Sequence, residues 1–135
     1  MSGVIAARHV LIGDAALIAL VPATSIGAGA LPLHTPLPAI SLESVTRLDR
    51  QVLGNFDFLH VAEHVQVTVL AETYDDQVAV QSAIRSAIRN GRFPTVAGLD
   101  KVTVHNPTTG PDFMNAEATI YMGTQDLRVT FSEPR

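Results

Sequence analysis

The run "VAEHVQVTVLA", residues 61 to 71, constrains this chain more than any other stretch, because it alternates. Val61, Val65, Val67, Val69 and Ala71 hold odd positions, and His64, Gln66 and Thr68 fall between them. Successive side chains of a strand point to opposite faces, so the pattern predicts a strand buried on one side. At Thr73 the period changes. In "TYDDQVAVQSAIRSAIRNG", Val80, Ala83, Ile84, Ala87 and Ile88 recur at helical spacing. Thr73 suits the N-cap, and Asp75 and Asp76 suit the positive end of the helix dipole. Arg85 and Arg89 suit the negative end, and Gly91 the left-handed position that ends a helix.

Other elements are arranged around this strand and helix. In residues 4 to 21, Val4, Ala7, Leu11, Ala15 and Ile18 form one apolar stripe, interrupted by Gly13-Asp14. Asp14 is placed to cap a second short helix, and Pro22 ends it. Residues 22 to 38 hold four prolines and two glycines and read as an extended arm with a short strand near Ile26. "AISLESVTR", residues 39 to 47, alternates, with Ile40 and Leu42 facing one way and Ser41, Glu43 and Arg47 the other. Residues 48 to 59, with a turn at Gly54-Asn55, join it to the strand from Val61 as a long β-hairpin. Further on, "KVTVH" buries Val102 and Val104. "AEATIYM" buries Ala116, Ala118, Ile120 and Met122, and "DLRVTFSE" buries Leu127, Val129 and Phe131. "NPTTGP" and "GTQ" read as the turns between these strands. The expected fold is one α+β domain over residues 1–135. Its mainly antiparallel, mixed sheet contains the long β-hairpin. A segmented N-terminal helix and one central amphipathic helix flank that sheet.

The central strand also contains His60-x-x-Glu63-His64, which on a helix would be a zinc-hydrolase signature. On a strand it cannot close on a metal. His60 and His64 then share a face while Glu63 points to the other, and four residues of strand separate the imidazoles by about 13 Å. Two zinc ligands must each lie about 2 Å from the ion. The zinc reading therefore requires residues 58 to 64 to be helical and a third ligand to come from elsewhere, and His9, His34 and His105 carry no accompanying motif.

Other chemistry has little support. There is no cysteine, which excludes thiol catalysis and disulfides. There is no G-x-S-x-G elbow or Walker-type loop, and "GAG" at 27 to 29 lacks the rest of a dinucleotide fingerprint. Asp75-Asp76 is explained by helix capping, and Arg85, Arg89 and Arg92 by a solvated helix face. Lys and Arg total 9, without a basic run, and the net charge is −4, so direct reading of nucleic acid is not expected. The N-terminal apolar run is interrupted by Arg8, His9 and Asp14, too often for a membrane span, and no basic residue precedes Val4 as in a signal peptide. A soluble protein without a targeting segment is expected. Charged residues are 16% of the chain against 47% hydrophobic. So low a charged share suggests that part of the surface is covered by other subunits.

Four stretches together resemble a known family: "LIGDAALIALVPATSIGAGALP", "LPAISLESV", "VQVTVLAETYDDQVAVQSAIRSAI" and "DLRVTFSE". They are similar to the small tail-completion or tail-terminator proteins of long-tailed bacteriophages and of phage-like gene transfer agents. The likeness runs from about Ile5 to Glu133, and its strongest piece is the strand passing through "AETY" into the helix, followed by "DLRVTF". It implies a structural protein without catalysis or cofactor, in the virion tail or neck, assembled in the host cytoplasm. Such proteins form a ring, usually a hexamer, on the head-proximal end of the tail tube. The ring stops tube growth and joins the head-tail connector or stopper protein. The expected partners are thus the chain itself, the tail tube protein and that connector, with no nucleic acid and no membrane. Rings need two different complementary patches on each subunit. The first expected patch is the hairpin around Arg50, Leu53, Phe56 and Phe58. The second is the proline-rich arm with Leu31, Leu33 and Leu37. An exposed sheet edge could add a contact by strand addition. The competing readings are a head-completion or stopper protein of the neck, a small zinc hydrolase using His60, Glu63 and His64, and a host binding domain.

Overall fold

The long alternating strand lies in the middle of a five-stranded sheet. A computed structural model of the chain describes residues 2–29, 37–50, 58–88, 100–114 and 120–134. Its elements are α1 (Ser2–Ile12), α2 (Ala15–Leu20), a 3-10 turn (Ala23–Ser25) and β1 (Ile26–Ala28), then β2 (Ala39–Arg50), β3 (Phe58–Ala71), α3 (Tyr74–Ala87), β4 (Asp100–Met114) and β5 (Tyr121–Pro134). The strand order is β1-β2-β3-β5-β4. β1 runs parallel to β2 and the other neighbours are antiparallel. The fold is α+β with a mixed, mainly antiparallel sheet, as the patterning implies.

β3 obeys its alternation throughout. Every odd residue from Val61 to Ala71 is buried and every even residue between them is half-buried. The odd face lies under the helices: α3 packs on β3 and β5, and α1 crosses β1, β2, β3 and β5. Cross-strand partners share a face, so Leu42, Val67 and Gln125 form one row and Val65 and Leu127 another. Leu11, Leu17, Ile40, Leu42, Ile84 and Leu127 fill the layer between, each fully buried. Burying one such side chain contributes about 1.5–3 kcal/mol. α3 meets this layer with Val80, Ile84, Ala87 and Ile88, the expected stripe, and Ala83 is half-buried beside them. Thr73 caps α3, its Oγ1 accepting from the Asp76 amide at 3.2 Å. Asp14 caps α2 through the amides of Ala16 and Leu17, at 2.9 and 3.3 Å.

Several details depart from the sequence reading. The N-terminal stripe does not continue past Gly13: Ala15 is exposed, Ile18 is half-buried, and Leu17 takes the buried place. The new cap at Asp14 restarts the helix and resets its phase. β2 runs on to Arg50, and Phe58 already belongs to β3, so the hairpin strands are longer than expected. "NPTTGP" is not a turn but the middle of β4. β4 is an edge strand, where a proline's missing N–H forfeits no ladder bond if it faces outward. Register shifts bracket Pro107 and Pro111, between His105 and Thr108 and between Thr109 and Asp112. "GTQ" likewise lies inside β5, which is one strand from Tyr121, and Ile120 and Met122 are half-buried. The turn at Gly54-Asn55, Arg89, Gly91, Ala116 and Ala118 fall outside the described residues.

Gly123 has a packing role. It pairs with Val69 on the helix face, beneath two buried glutamines of α3. A Cβ there would stand 2.3 Å from Gln81 Nε2 and 2.4 Å from Gln77 Nε2. Gln77 Nε2 donates to Gln81 Oε1 at 3.3 Å, and Gln125 Nε2 donates to the Gln81 backbone carbonyl at 2.8 Å. Gly123→Ala is expected to destabilise the fold by about 1–3 kcal/mol, as overpacking of a tight interior does. Chemical denaturation would check this, and a change below about 0.5 kcal/mol would show that the glutamines do not depend on the missing Cβ.

Candidate assembly surface

β2 has two unlike halves. From Ala39 to Leu42 all residues are buried, and Ser41 Oγ donates to the Gly29 carbonyl at 2.6 Å. β1 pairs with this half only, at Ile40, Ser41 and Leu42. From Glu43 to Asp49 every side chain is exposed. Among the described residues this half is paired on one flank only, by β3. Among the described residues no second strand lies on its outer flank, which makes it a template for another strand. It also exposes Val45 and Leu48, at 52% and 65%. A register shift between Ser44 and Thr46 changes the phase of the strand here. Arg47 and Asp49 form an ion pair at 3.0 Å, and the Arg47 guanidinium lies 5.9 Å from the Phe131 ring centroid.

The residues expected to form contacts separate into two groups. Arg50 ends β2 opposite His60, and Phe58 begins β3 opposite Pro134, so both lie at the same end of the hairpin. Leu37, half-buried, precedes β2 at its other end. Leu31, Leu33, Leu53 and Phe56 fall outside the described residues. Sequence reasoning did not pick out Val45 and Leu48. Val45 breaks the phase of Ile40 and Leu42, whereas Leu48 keeps it and is turned to the other face only by the register shift between Ser44 and Thr46.

The H-x-x-E-H stretch lies wholly within β3, and the zinc geometry fails as strand spacing requires. His60 and His64 stand on the open face, and Glu63 is 1% exposed beneath the helices. His60 Nδ1 and Ser132 Oγ share a hydrogen bond of 2.8 Å, and His64 Nε2 lies 3.3 Å from Asp126 Oδ1. No group of three potential ligands that could hold a metal ion occurs among the described residues. Glu63 serves the fold instead. A Cβ on Gly3 would lie 2.2 Å from Glu63 Oε2, so the bare backbone of the first turn of α1 closes directly on the carboxylate. A helix N-terminus carries unsatisfied amides and partial positive charge, which suits a buried anion.

A cleft of about 300 Å³, half polar and half apolar, opens on the sheet near His60. β3 supplies His60 and Ala62, β5 supplies Arg128, Thr130 and Ser132, and the start of β4 supplies Lys101. Lys101 adopts a positive φ of 52° next to the register shift that opens β4.

No family model matches this sequence, and no curated protein matches it. Among solved structures, a chain from the virion of a native gene transfer agent particle is similar, with a TM-score of 0.64 and 17% identity. The match covers 93% of this chain and 91% of that one. At that identity the likeness establishes a shared fold over nearly the full length of both chains.

Two outcomes are expected. Dialysis against zinc should leave well under one ion per chain; about one tightly held ion would contradict the strand placement of His60 and His64. Replacing Val45 and Leu48 with serine should change folding stability by no more than about 0.5 kcal/mol, since both are exposed. A loss of several kcal/mol in a denaturation curve would mean that these side chains are buried within the monomer.

Proposed function

We propose that this chain is a non-enzymatic structural protein of a phage-like virion, folded as one domain, that forms a ring at the head-proximal end of the tail tube. The observation that carries this reading is the outer half of β2. Among the described residues it is a strand edge flanked on one side only, with exposed Val45 and Leu48, on a fold shared with a chain of a gene transfer agent virion. A monomer gains nothing from such an edge and risks aggregation through it, whereas an assembling subunit uses it as a joint.

The two sheet edges differ, and this favours a ring. The β4 edge carries Pro107 and Pro111, which cannot donate to an added strand. The β2 edge from Glu43 to Arg50 contains no proline. Unlike edges suit heterologous contacts, which close into rings when the rotation between subunits permits. The β2 edge and the hairpin end, with Arg50, Leu53, Phe56 and Phe58, contact the tube or a neighbouring subunit. The proline-rich arm with Leu31, Leu33 and Leu37 supplies the second patch. The mechanism is steric: the ring occupies the surface that would receive the next tube ring and offers the connector a different face. About 1,600 Å² of buried surface per contact makes such a joint specific and stable. No cofactor is required.

Electron microscopy of particles lacking this gene tests the role. Overlong tubes, or tails unattached to heads, are expected. Leaking heads beside tails of normal, capped length would move the protein to the head side of the neck, as a stopper. Unchanged particles would refute a virion role altogether. Replacing Phe56 and Phe58 with serine should block ring assembly while the protein stays folded, and rings of normal yield would remove that patch from the interface.

A further inference from the structure

The two ends of the central strand carry unlike groups: Lys101 and Arg128 line a cleft at its start, where Asp100 stands opposite Ser132, and carboxylates cluster past its end. At the β3 start, the cleft beside His60 sets the polar groups of His60, Lys101, Arg128, Thr130 and Ser132 around an apolar half made by Val61, Ala62 and Phe131. No carboxylate is among the described residues that line it. Arg128 also faces His64 and His105 across the neighbouring strands, so cationic and neutral donors extend outward from the cleft. Asp126 lies on the same face of β5 but outside the lining, against His64. At the other end, β3 passes into α3 through Glu72, Thr73, Tyr74, Asp75 and Asp76, all exposed. Thr73 alone supplies the helix cap, so the carboxylates of Asp75 and Asp76 are not required for it. Tyr74, 45% exposed, leans on Tyr121 with ring centroids 6.1 Å apart, and Val78 is exposed one turn along.

We propose that copies of this chain join head to tail, the acidic, tyrosine-bearing start of α3 of one copy seating in the cationic cleft of the next. The two features cannot meet within one molecule. From His60 to Ala71 the strand covers about 36 Å at roughly 3.3 Å per residue. Contact between them must therefore join two copies, and because the surfaces differ the contact is heterologous, the kind that builds rings. The cleft draws its donors from three strands and is far wider than a single small anion. A segment with three carboxylates and an aromatic side chain matches that spread better, and tyrosine is favoured as an anchor in buried interface pockets. This contact rests on the ring reading above and specifies how its subunits meet.

Sedimentation velocity on the full chain tests it, with Asp75→Lys/Asp76→Lys as one variant and Lys101→Glu/Arg128→Glu as the other. All four side chains are exposed, and circular dichroism would verify that both variants are folded. Each variant alone is expected to self-associate at least about tenfold more weakly than the wild type, because like charges are brought together. An equal mixture of the two should assemble again, each reversed cleft receiving a reversed α3. Rising salt should weaken the wild-type contact, since the screening length falls from about 10 Å at 0.1 M to about 3 Å at 1 M. Wild-type assembly by both variants would overturn this contact and leave the ring reading intact. Loss of assembly in each variant without rescue in the mixture would also overturn it. A wild-type chain that stays monomeric at its highest soluble concentration and does not bind tube ends would remove the ring reading as well.

Discussion

The fold depends on β3 being paired on both sides from His60 to Leu70, nearly its whole length. β2 covers one flank from Ala39 to Arg50, and β5 covers the other from Tyr121 to Pro134. A strand fixed on both flanks has no freedom to slip, and a slip of one residue would turn Val61, Val65, Val67 and Val69 out to solvent. The same constraint places Glu63 in the core, because it shares parity with the valines. Burying a carboxylate is costly unless it is hydrogen-bonded and paired. The start of α1 lies directly over it, with Gly3 leaving room for that approach. Arg47, its register partner on β2, stands on the same face. The residue that makes the sequence look like a zinc site thus helps to position the first helix.

α1 in turn holds the segment that begins the sheet. Arg8 Nε donates to the Ile26 carbonyl at 2.9 Å and its Nη2 to the Ala23 carbonyl at 3.3 Å. This anchors β1 beside the first half of β2, and among the described residues no strand covers the outer flank of the second half. The open edge is therefore a consequence of topology: β1 spans only Ile26–Ala28, and β2 continues well past it. The opposite edge, β4, carries prolines and register shifts, which are common devices for blunting a sheet edge. One edge is protected and the other is not, and that difference is the physical basis for reading the chain as an assembling subunit.

Much of this was legible from residues alone. The β2–β3 hairpin, the α3 stripe, the Thr73 and Asp14 caps and the buried Leu127, Val129 and Phe131 all follow local periodicity or capping chemistry. The errors share a cause. Proline and glycine signal turns on local grounds, whereas their meaning here is set by tertiary position. Pro107 and Pro111 are tolerated because β4 is an edge. Gly123 sits mid-strand because Gln77 and Gln81 close over it. The assembly surface was less legible than the fold. Val45 and Leu48 are exposed only because a register shift and the short β1 leave that half of the strand uncovered. The cleft draws Lys101, His60 and Arg128 from three strands far apart in sequence, and no local pattern joins them.

The proposed joint requires the outer edge of β2, from Glu43 to Asp49, to be open in the free chain and closed in the assembled particle. Hydrogen–deuterium exchange of the free protein and of the assembled ring or tail measures this directly. The outward-facing amides of that segment should exchange fast in the free protein and become protected by at least about tenfold on assembly, while β3 is slow in both. Amides already protected in the free monomer, or equally fast after assembly, would contradict the claim and place the joint elsewhere on the molecule.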